Sequence, residues 1–324
     1  MANLPTYAIV ADIGGTNARF SRVDLTTLAL DKVAVYACAD FASLAAALIH
    51  YQTEQQLMLI KHVAIAIACP VNGDQISMTN FHWQFSVNAM QRQLGLEALQ
   101  VINDFTAVAM CLPALNAEQK VQVGAGEIQQ GKPMLVLGAG TGLGVAYLLK
   151  IDDTFIPLPS EGGHTEFAVQ TEQEWFIKQQ LAKEYGHVSA ERILSGPGLE
   201  AIFNALARYR GQDVAPTSAA QIAAQALTGK SELAKDSVNQ FFASLGSVAG
   251  DLALTLSTFG GVYIAGGITP KLLPLMADSE FRSRFETKGR LSAFNRQIAT
   301  YVVTAAQPGL VGAAVYLKQF LASN

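Results

Sequence analysis

The sequence predicts an α/β fold in two halves with a cleft between them. Its 324 residues, half of them apolar and 15% charged, can bury a large core and suit two domains or one large one. A unit of apolar strand, glycine-rich turn and second apolar strand occurs near the N-terminus and again from residue 131. Residues 256–272 then place a strand before glycines and a helix. This recurrence indicates a duplicated architecture.

The composition excludes several classes of protein. A formal net charge of -4, without blocks of like charge, offers no basic face to nucleic acid or anionic lipid, so we expect a small polar or anionic substrate. No apolar stretch is long enough to span a membrane and no signal peptide is evident, so we expect a cytoplasmic protein. Cys38, Cys69 and Cys111 lack metal-ligand spacing and are expected to be reduced structural residues.

The N-terminal segment YAIVADIGGTNARFSRVDL predicts a β-hairpin. Its apolar run, YAIVA, is a strand that ends at a carboxylate, and two glycines follow. Apolar and polar residues then alternate, although imperfectly, which favours a second strand over a helix.

Strands and helices alternate along the next part of the chain. Ser86 is the expected cap of one helix and Gly95 its end. The predicted elements are a helix in 40–52, a buried strand in 62–71, an extended loop with aromatic anchors in 78–86, the helix from Ser86, a strand in 99–104 that ends in a carboxylate, and a helix from 105 that a proline ends.

The second half opens with another strand, glycine turn and strand, GKPMLVLGAGTGLGVAYLLKID. From about Thr171 to Leu254 the pattern is helical, with breaks at GHVSAERILSGPG and around Pro216. A strand, two glycines and a helix follow in LSTFGGVYIAGGITPKL. These elements predict a second α/β half.

The first glycine turn places a carboxylate next to two residues that have no side chain. Gly14 and Gly15 let N–H groups converge on an anion, and Thr16 and Asn17 extend that set, so the turn suits phosphate oxygens. A carboxylate beside phosphate needs a cation between them, so we expect Asp12 to orient Mg²⁺ through its water shell. A plain hairpin turn is the alternative interpretation.

The second glycine run, GAGTGLG at 138–144, differs from a dinucleotide-binding fingerprint. Leu143 occupies the place of the last glycine, and a strand-like segment follows instead of a helix. Neither glycine loop carries a Walker lysine, which disfavours a P-loop fold. Two glycine-rich hairpin loops facing a cleft would instead hold a polyphosphate from both sides.

Six motifs follow one another along nearly the whole chain: DIGGTN at 12–17, IND at 102–104, LGAGTGLG at 137–144, EGGH at 161–164, SAER at 189–192 and AGGI at 265–268. In this order they resemble the bacterial ATP-dependent glucokinases, which have the actin-like (ribonuclease H-like) sugar kinase fold. The resemblance implies two α/β domains that close over a central cleft. The small domain would comprise 1–114 with 305–324, and the large domain 115–304.

The resemblance assigns Asp104 as the catalytic base. A sugar 6-hydroxyl is a poor nucleophile, and a carboxylate within hydrogen-bond reach can take its proton during attack on the γ-phosphorus. The alternative is that Asp104 only caps the helix that follows. Asn103 would hold a sugar hydroxyl, since its amide both donates and accepts.

The resemblance also assigns sugar contacts to Glu161, His164 and Glu191, with Asn80 as a weaker candidate. Carboxylates and an imidazole suit a polyol because hydroxyls both donate and accept. Alternatively, Glu191 favours the first turn of a helix through the macrodipole, and His164 is an ordinary loop histidine. Trp83 is expected to be a packing anchor.

The remaining glycine motifs match the nucleotide side of the family's site. The second phosphate loop would contain Gly138, Gly140, Thr141 and Gly142, and the adenosine-side loop Gly266 and Gly267. A plain tight turn is the alternative for each glycine. The implied cofactors are ATP and Mg²⁺.

Zinc is not expected. The wider group of repressors and sugar kinases includes members with a zinc site formed by a cysteine cluster after the histidine. The stretch from Thr165 to Gly198 contains no cysteine. The same group includes repressors with an N-terminal DNA-binding domain, whereas this chain starts directly on its first strand, which argues against that function.

The resemblance implies a glucokinase that transfers the ATP γ-phosphoryl group to the 6-hydroxyl of D-glucose, acting as a homodimer. The alternatives are a kinase for another hexose or an amino sugar, and a non-catalytic sugar-binding sensor. Loss of Asp12 or Asp104 would favour the sensor, and both residues are present.

Overall fold

The computed structural model describes residues 5–323, which divide into two α/β units. The first unit comprises the residues up to Asn116, residues 153–159 and the residues from Ala305 onward. The second comprises residues 117–152 and 160–304. Within the described residues, no helix combines the length and the hydropathy needed to cross a bilayer.

The first unit is organised around a five-stranded sheet. Its elements before the chain passes to the second unit are β1 (Tyr7–Ile13), β2 (Asn17–Asp24), β3 (Leu30–Ala37), α1 (Leu44–Glu54), β4 (His62–Ile67), β5 (Gln75–Ser77), β6 (Gln84–Ser86), α2 (Val87–Leu94), β7 (Ala98–Asn103) and α3 (Asp104–Cys111). The strand order is β3-β2-β1-β4-β7. As predicted, β1 and β2 form an antiparallel hairpin, whereas β1, β4 and β7 are parallel.

The rest of the chain contains eight helices and six strands within the described residues. These are β8 (Lys120–Gln122), β9 (Met134–Ala139), β10 (Leu143–Ile151), β11 (Thr154–Ser160), α4 (Glu172–Tyr185), α5 (Gly196–Tyr209), α6 (Ala219–Leu227), α7 (Glu232–Leu256), β12 (Val262–Ala265), α8 (Thr269–Met276), α9 (Phe281–Glu286), α10 (Ser292–Arg296), β13 (Thr300–Val303) and α11 (Pro308–Ser323). Helix α11 belongs to the first unit.

The second unit repeats the strand arrangement of the first. Its strands follow the order β10-β9-β12-β13-β8, with β9 and β10 in an antiparallel hairpin. Strands β9, β12 and β13 are parallel, as β1, β4 and β7 are in the first unit. The duplication inferred from the two glycine units is therefore present in the topology.

Two hydrophobic cores lie on opposite faces of the first sheet. Alternate residues of β1 serve different cores, because successive side chains of a strand point to opposite faces. Ile9, Ala11 and Ile13 pack with α1, while Ala8 and Val10 pack with α11. The central strands are covered on both faces, which explains their nearly continuous apolar sequence.

Several local predictions are confirmed. Ser86 caps α2 by accepting the Ala89 N–H at 3.0 Å, and Gly95 ends it with a φ of 58°. Trp83 is 2% exposed, and its indole N–H donates to the Phe41 carbonyl, so it is a packing anchor. The three cysteines are buried and unpaired.

Several element boundaries differ from the sequence-based expectation, and strand β4, expected to reach residue 71, ends at Ile67. The helix expected from residue 40 begins at Leu44, because the Ser43 hydroxyl accepts the Ala46 N–H and fixes its start there. The loop expected over 78–86 ends in β6, which pairs with β5. Strand β7 ends at Asn103, so Asp104 is the first residue of α3.

Candidate active site

The candidate site residues of the first unit follow the carboxyl ends of parallel strands. The first glycine turn follows β1, and Asp104 follows β7. Because β1, β4 and β7 run in the same direction, these ends lie along one edge of the sheet, which is where open α/β sheets bind ligands. In the second unit, β9 precedes one glycine loop and β12 the other, and these two strands are also parallel.

Asp12 lies near the end of β1 on the face that α11 covers. Its partner across the hairpin is Arg19, whose Nη1 atom is 3.7 Å from Asp12 Oδ2. Burial raises the pKa of the Asp12 carboxyl above its ordinary value, and Arg19 opposes that rise. Gly309 of α11 packs against the same carboxylate: a Cβ there would lie 3.3 Å from Asp12 Cγ.

The first glycine turn is closed by backbone hydrogen bonds. The Gly14 N–H donates to the Asn17 carbonyl at 2.9 Å, and the Thr16 carbonyl accepts the Cys38 N–H at 2.8 Å. Gly15 lies against Asn80, because a Cβ on Gly15 would be 3.1 Å from the Asn80 Cβ. The structure therefore places Asn80 beside this turn, and this close approach favours glycine at position 15.

Asn103 is the cap of α3, so the alternative in which Asp104 caps this helix is wrong. Asn103 Oδ1 accepts the N–H groups of Phe105 and Thr106 at 3.0 and 3.1 Å. Its Nδ2 donates to Asp104 Oδ1 at 2.8 Å and to the Cys69 carbonyl at 3.3 Å. In this arrangement the Asn103 amide orients the Asp104 carboxylate.

The Asp104 carboxyl has a strongly perturbed pKa. Burial raises the pKa of Asp104 to about 6, and the Phe105 N–H opposes that rise. The negative charge of Asp12 adds to the rise, and the Asn103 amide reduces it. A carboxylate whose pKa lies near neutrality is suited to accept a proton at physiological pH.

The two glycine segments of the second unit pack backbone to backbone. A Cβ on Gly138 would be 2.7 Å from the Ala265 carbonyl carbon. Gly266 has a φ of 87°, which favours glycine, and a Cβ there would meet the Ala139 carbonyl oxygen. Only bare backbones can approach this closely, so glycine is required at positions 138 and 266.

The second glycine loop is connected to the segment that starts at Glu191. The Gly196 N–H donates to the Gly140 carbonyl at 2.8 Å, and Glu191 Oε2 accepts the Leu143 N–H at 2.8 Å. A Cβ on Gly142 would collide with the same carboxylate oxygen. Glu191 lies in a 3₁₀ turn, Ala190–Arg192, and not in an α-helix as the alternative assumed. A cavity of about 60 Å³ is lined by both Thr141 and Glu191.

The EGGH motif forms a 3₁₀ turn, Gly162–His164, next to the SAER motif. The Ala190 N–H donates to the Thr165 carbonyl at 2.8 Å, and His187 Nε2 is 3.3 Å from the His164 carbonyl oxygen. The side chains of His164 and Glu161 are 59% and 75% exposed, with 3.9 Å between His164 Nε2 and Glu161 Oε2. The backbone of this turn is fixed while its polar side chains remain accessible.

The expected site residues fall into two sets, one in each unit. The set in the first unit contains Asp12, Gly14, Gly15, Thr16, Asn17, Asn80, Asn103 and Asp104. The set in the second contains Gly138, Gly140, Thr141, Gly142, Glu161, His164, Glu191, Gly266 and Gly267. A larger open depression of about 660 Å³ lies elsewhere in the second unit, and none of these residues lines it.

Between residues 5 and 323, no group of three or more His, Cys, Asp or Glu side chains could hold a metal ion. A single carboxylate such as Asp12 fits Mg²⁺, because this ion keeps several waters and takes its other ligands from substrate phosphates. The lack of zinc stays a prediction.

Three residues that lie near the candidate site are not part of any motif found in the sequence. Arg19 could have been found by counting outward from the turn, since hairpin register places it opposite Asp12. Gly196 belongs to a Ser-Gly-Pro-Gly sequence typical of a helix start, and Ser195 does cap α5. Gly309 is distant from Asp12 in sequence, and only the packing of α11 reveals their contact.

Comparisons with known proteins agree on one family. A family model described as Glucokinase matches residues 9–320. A glucokinase of Psychromonas ingrahamii is 47% identical over 97% of this chain and 98% of its own length. A glucokinase of Colwellia psychrerythraea is 45% identical over 96% of each chain.

Solved structures show the same fold. The crystal structure of a glucokinase from an Antarctic psychrotroph is 37% identical, covers 97% of this chain and 99% of its own, and has a TM-score of 0.87. A ROK family glucokinase from Streptomyces griseus, solved with glucose and AMPPNP, has 18% identity, coverage of 97% and 99%, and a TM-score of 0.65. The α/β fold is therefore of the two-domain actin-like class.

Proposed function

This chain belongs to the glucokinase family, and from that premise we propose that it transfers the γ-phosphoryl group of ATP to the 6-hydroxyl of D-glucose. The products are glucose 6-phosphate and ADP. The observation that carries the proposal is the half-buried Asp104, held by Asn103 and the Phe105 N–H at the end of a parallel strand, with its pKa raised to about 6.

Asp104 is the general base in this proposal. Its carboxylate takes the proton of the 6-hydroxyl as the hydroxyl oxygen attacks the γ-phosphorus, and the bond between that phosphorus and the bridging oxygen of ADP breaks. The carboxyl is protonated only below about pH 6, so it is ready to accept a proton at pH 7. Asn103 acts through Asp104 by orienting it, and any contact of its amide with sugar must replace one of the four hydrogen bonds that it makes.

Backbone N–H groups of two glycine turns supply the phosphate contacts, except those of Gly14 and Gly140, which already donate to the Asn17 and Gly142 carbonyls. We assign the polyphosphate to the turn of Gly14, Gly15, Thr16 and Asn17, and to the loop of Gly138, Gly140, Thr141 and Gly142. Gly266 and Gly267 are assigned to the adenosine side. Mg²⁺ would be held by Asp12 through water, and it neutralises phosphate charge when it is bound.

Exposed polar side chains supply the sugar contacts. Glu161 and His164 project from the EGGH turn, and Asn80 lies beside the first glycine turn. Glu191 completes the set. Hydroxyl groups can donate to the carboxylates and both donate to and accept from the amide and the imidazole, which suits a neutral polyol.

The test is sugar-dependent ADP release in the presence of Mg²⁺ and ATP, measured for glucose, mannose, fructose and N-acetylglucosamine. We expect release to be highest with glucose and to fall about 10²- to 10⁴-fold in Asp104→Ala. The matched control is Asp24→Asn, a carboxylate that lies opposite Tyr7 at the other end of the hairpin, which should leave the rate unchanged.

Two outcomes would contradict the proposal. If ADP release is highest with another sugar, the protein is a kinase for that sugar and not a glucokinase. If no sugar provokes release but glucose raises the melting temperature, the protein is a sugar-binding sensor and Asp104 loses its catalytic role.

The proposal includes a cytoplasmic location, where ATP is available, and a homodimeric assembly. It includes glucose and ATP as the only partners, without nucleic acid, membrane or zinc. Sedimentation equilibrium of the purified protein tests the dimer, and metal analysis tests the lack of zinc.

A further inference from the structure

The second glycine loop is held by the segment 191–196 on both of its sides. Before the loop's apex, the Gly140 carbonyl accepts the Gly196 N–H at 2.8 Å. After the apex, the Leu143 N–H donates to Glu191 Oε2, also at 2.8 Å. One of these two attachments is a side chain, so it can be changed without altering the backbone.

The Glu191 attachment is close and specific. Leu143 is 5% exposed, so its N–H has little access to water if the carboxylate is removed. A buried N–H group that loses its acceptor destabilises the protein by more than the hydrogen bond itself contributed, because the group is left without a partner or water. Hydrogen bonds to a charged acceptor such as a carboxylate are also stronger than those to a neutral acceptor. Gly142 leaves the space that the carboxylate occupies, because a Cβ there would meet Glu191 Oε2.

We propose that Glu191 is a positioning residue for the second glycine loop, in addition to being a sugar contact. The inference rests on the proposed function, in which this loop binds phosphate and Glu191 binds sugar. Oε2 is committed to the loop, while Oε1 makes no hydrogen bond within the described residues and can accept a sugar hydroxyl. One carboxylate then serves both substrates, so the affinities for sugar and nucleotide are coupled.

The experiment measures ADP binding to the full chain by calorimetry, with Mg²⁺ present and no sugar. Wild type is compared with Glu191→Ala and Glu191→Gln. We expect the alanine variant to bind ADP about 5- to 30-fold more weakly, because the Leu143 N–H loses its acceptor. Glutamine keeps an oxygen at this position, so Glu191→Gln should stay within about threefold of wild type.

The matched control is Glu161→Ala. Glu161 is a second proposed sugar carboxylate, but its recorded contact within the described residues is with His164 and not with the loop. We expect this variant to bind glucose more weakly and ADP normally. Normal ADP binding in Glu191→Gln, beside weaker binding in Glu191→Ala, would trace the loss to the oxygen that accepts the Leu143 N–H.

Each result has a definite meaning. If Glu191→Ala binds glucose more weakly but ADP as tightly as wild type does, the inference is overturned while the proposed function stands. If wild type itself does not bind ADP, the proposed function fails first.

Should Glu191→Ala not fold, Glu191→Asp tests the same contact, since the shorter side chain withdraws the carboxylate from the Leu143 N–H. ADP binding should weaken in this variant as well, and wild-type affinity would again overturn the inference.

Discussion

Asp104 combines a catalytic position with a raised pKa, and this makes the pH dependence of the reaction predictable. The base must be ionised to accept a proton, so kcat/KM should fall as the pH decreases through about 6 and should be flat from pH 7 to 8. The measurement is a pH profile of kcat/KM for glucose at saturating MgATP. A carboxyl with an ordinary pKa would keep the rate constant down to about pH 5, and that profile would contradict the assignment.

The same pKa makes Asp104 a cost to stability at neutral pH. Its pKa is about 6 in the folded protein, against a reference value of 3.8. The protonated form is favoured by folding, so the stability associated with it is present below pH 3.8 and is lost as the pH rises through 6. Asp104→Asn should therefore raise the free energy of unfolding at pH 8 by about 1–3 kcal/mol.

Denaturant titrations at pH 8 and pH 4 test this prediction, because the stability gain should nearly vanish at the lower pH. An equal gain at both pH values would show that charge burial is not its cause. Asp24→Asn serves as the control, since that carboxylate is exposed and its pKa is lowered by the Thr27 and Thr26 N–H groups.

Sequence reasoning identified Asp104 and Asn103 as a pair, but the alternative that it left open named Asp104 and not Asn103 as the cap of α3. A strand that ends in Asn-Asp before an apolar helix leaves two candidates for the cap, and both residue types cap helices well. The backbone conformation decides between them: Asn103 is extended, with a φ of -61° and a ψ of 149°, whereas Asp104 is already helical. Sequence alone does not locate that change to within one residue.

At the scale of elements, helix α11 packs on α3 through a glycine. A Cβ on Gly312 would overlap the Ala107 carbonyl oxygen of α3. Replacement by alanine gains up to about 1 kcal/mol of helix propensity. It also forces two backbones apart, and overpacking of this kind costs about 1–3 kcal/mol or more. We expect Gly312→Ala to lower the melting temperature.

The matched control is Gly309→Ala in the same helix. A Cβ at this position is 3.3 Å from atoms of the Asp12 side chain, not from backbone, so a small movement can accommodate it. Thermal unfolding of the two variants should separate them, with Gly312→Ala clearly the less stable. Equal melting temperatures would show that the α3–α11 contact tolerates the methyl group.

A buried ion pair joins three helices of the second unit. Glu174 on α4 is fully buried, and its Oε1 atom is 2.7 Å from Arg284 Nη2 on α9. Gln240 on α7 donates to the same carboxylate oxygen at 3.0 Å. Removing one partner leaves the other charge buried, so Glu174→Ala should lower the free energy of unfolding by about 3–5 kcal/mol.

The comparison is with Asp236→Ala, which removes the surface pair of Asp236 and Arg210. A surface pair contributes about 0–1 kcal/mol. Denaturant titration at one pH measures both variants. A loss of less than 1 kcal/mol in Glu174→Ala would show that water or another group compensates Arg284.

The elements that sequence predicts well are those with strong patterns. Buried strands such as β1, β4 and β9 are continuous apolar runs, and glycines mark where β1 and β9 end. The edge strand β3 is mostly exposed, and its five-residue apolar run, VAVYA, is too short for periodicity to distinguish a strand from a helix segment. Strand β13 has four residues, which is too short for a periodic signal.

At the scale of the molecule, duplication is visible in sequence only as a repeated order of elements. The two units share a hairpin followed by two parallel strands, although the segments YAIVADIGGTNARF and MLVLGAGTGLGVAY have little identity beyond their glycines. Backbone hydrogen bonds between the strands define the topology, and many different apolar sequences are compatible with the same topology. The polar residues at the strand ends differ between the two units, because each unit has its own function in the site. Asp12, for example, has no counterpart in the second unit's glycine loop.

The packing of α11 has a consequence for biosynthesis. Leu310, Ala313 and Leu317 complete a core that also contains Ala8 and Val10, which lie almost a whole chain length away. A ribosome makes Val10 long before Leu317, so one face of the first sheet stays uncovered on the nascent chain until α11 emerges. Chaperones that hold apolar segments have this interval in which to bind.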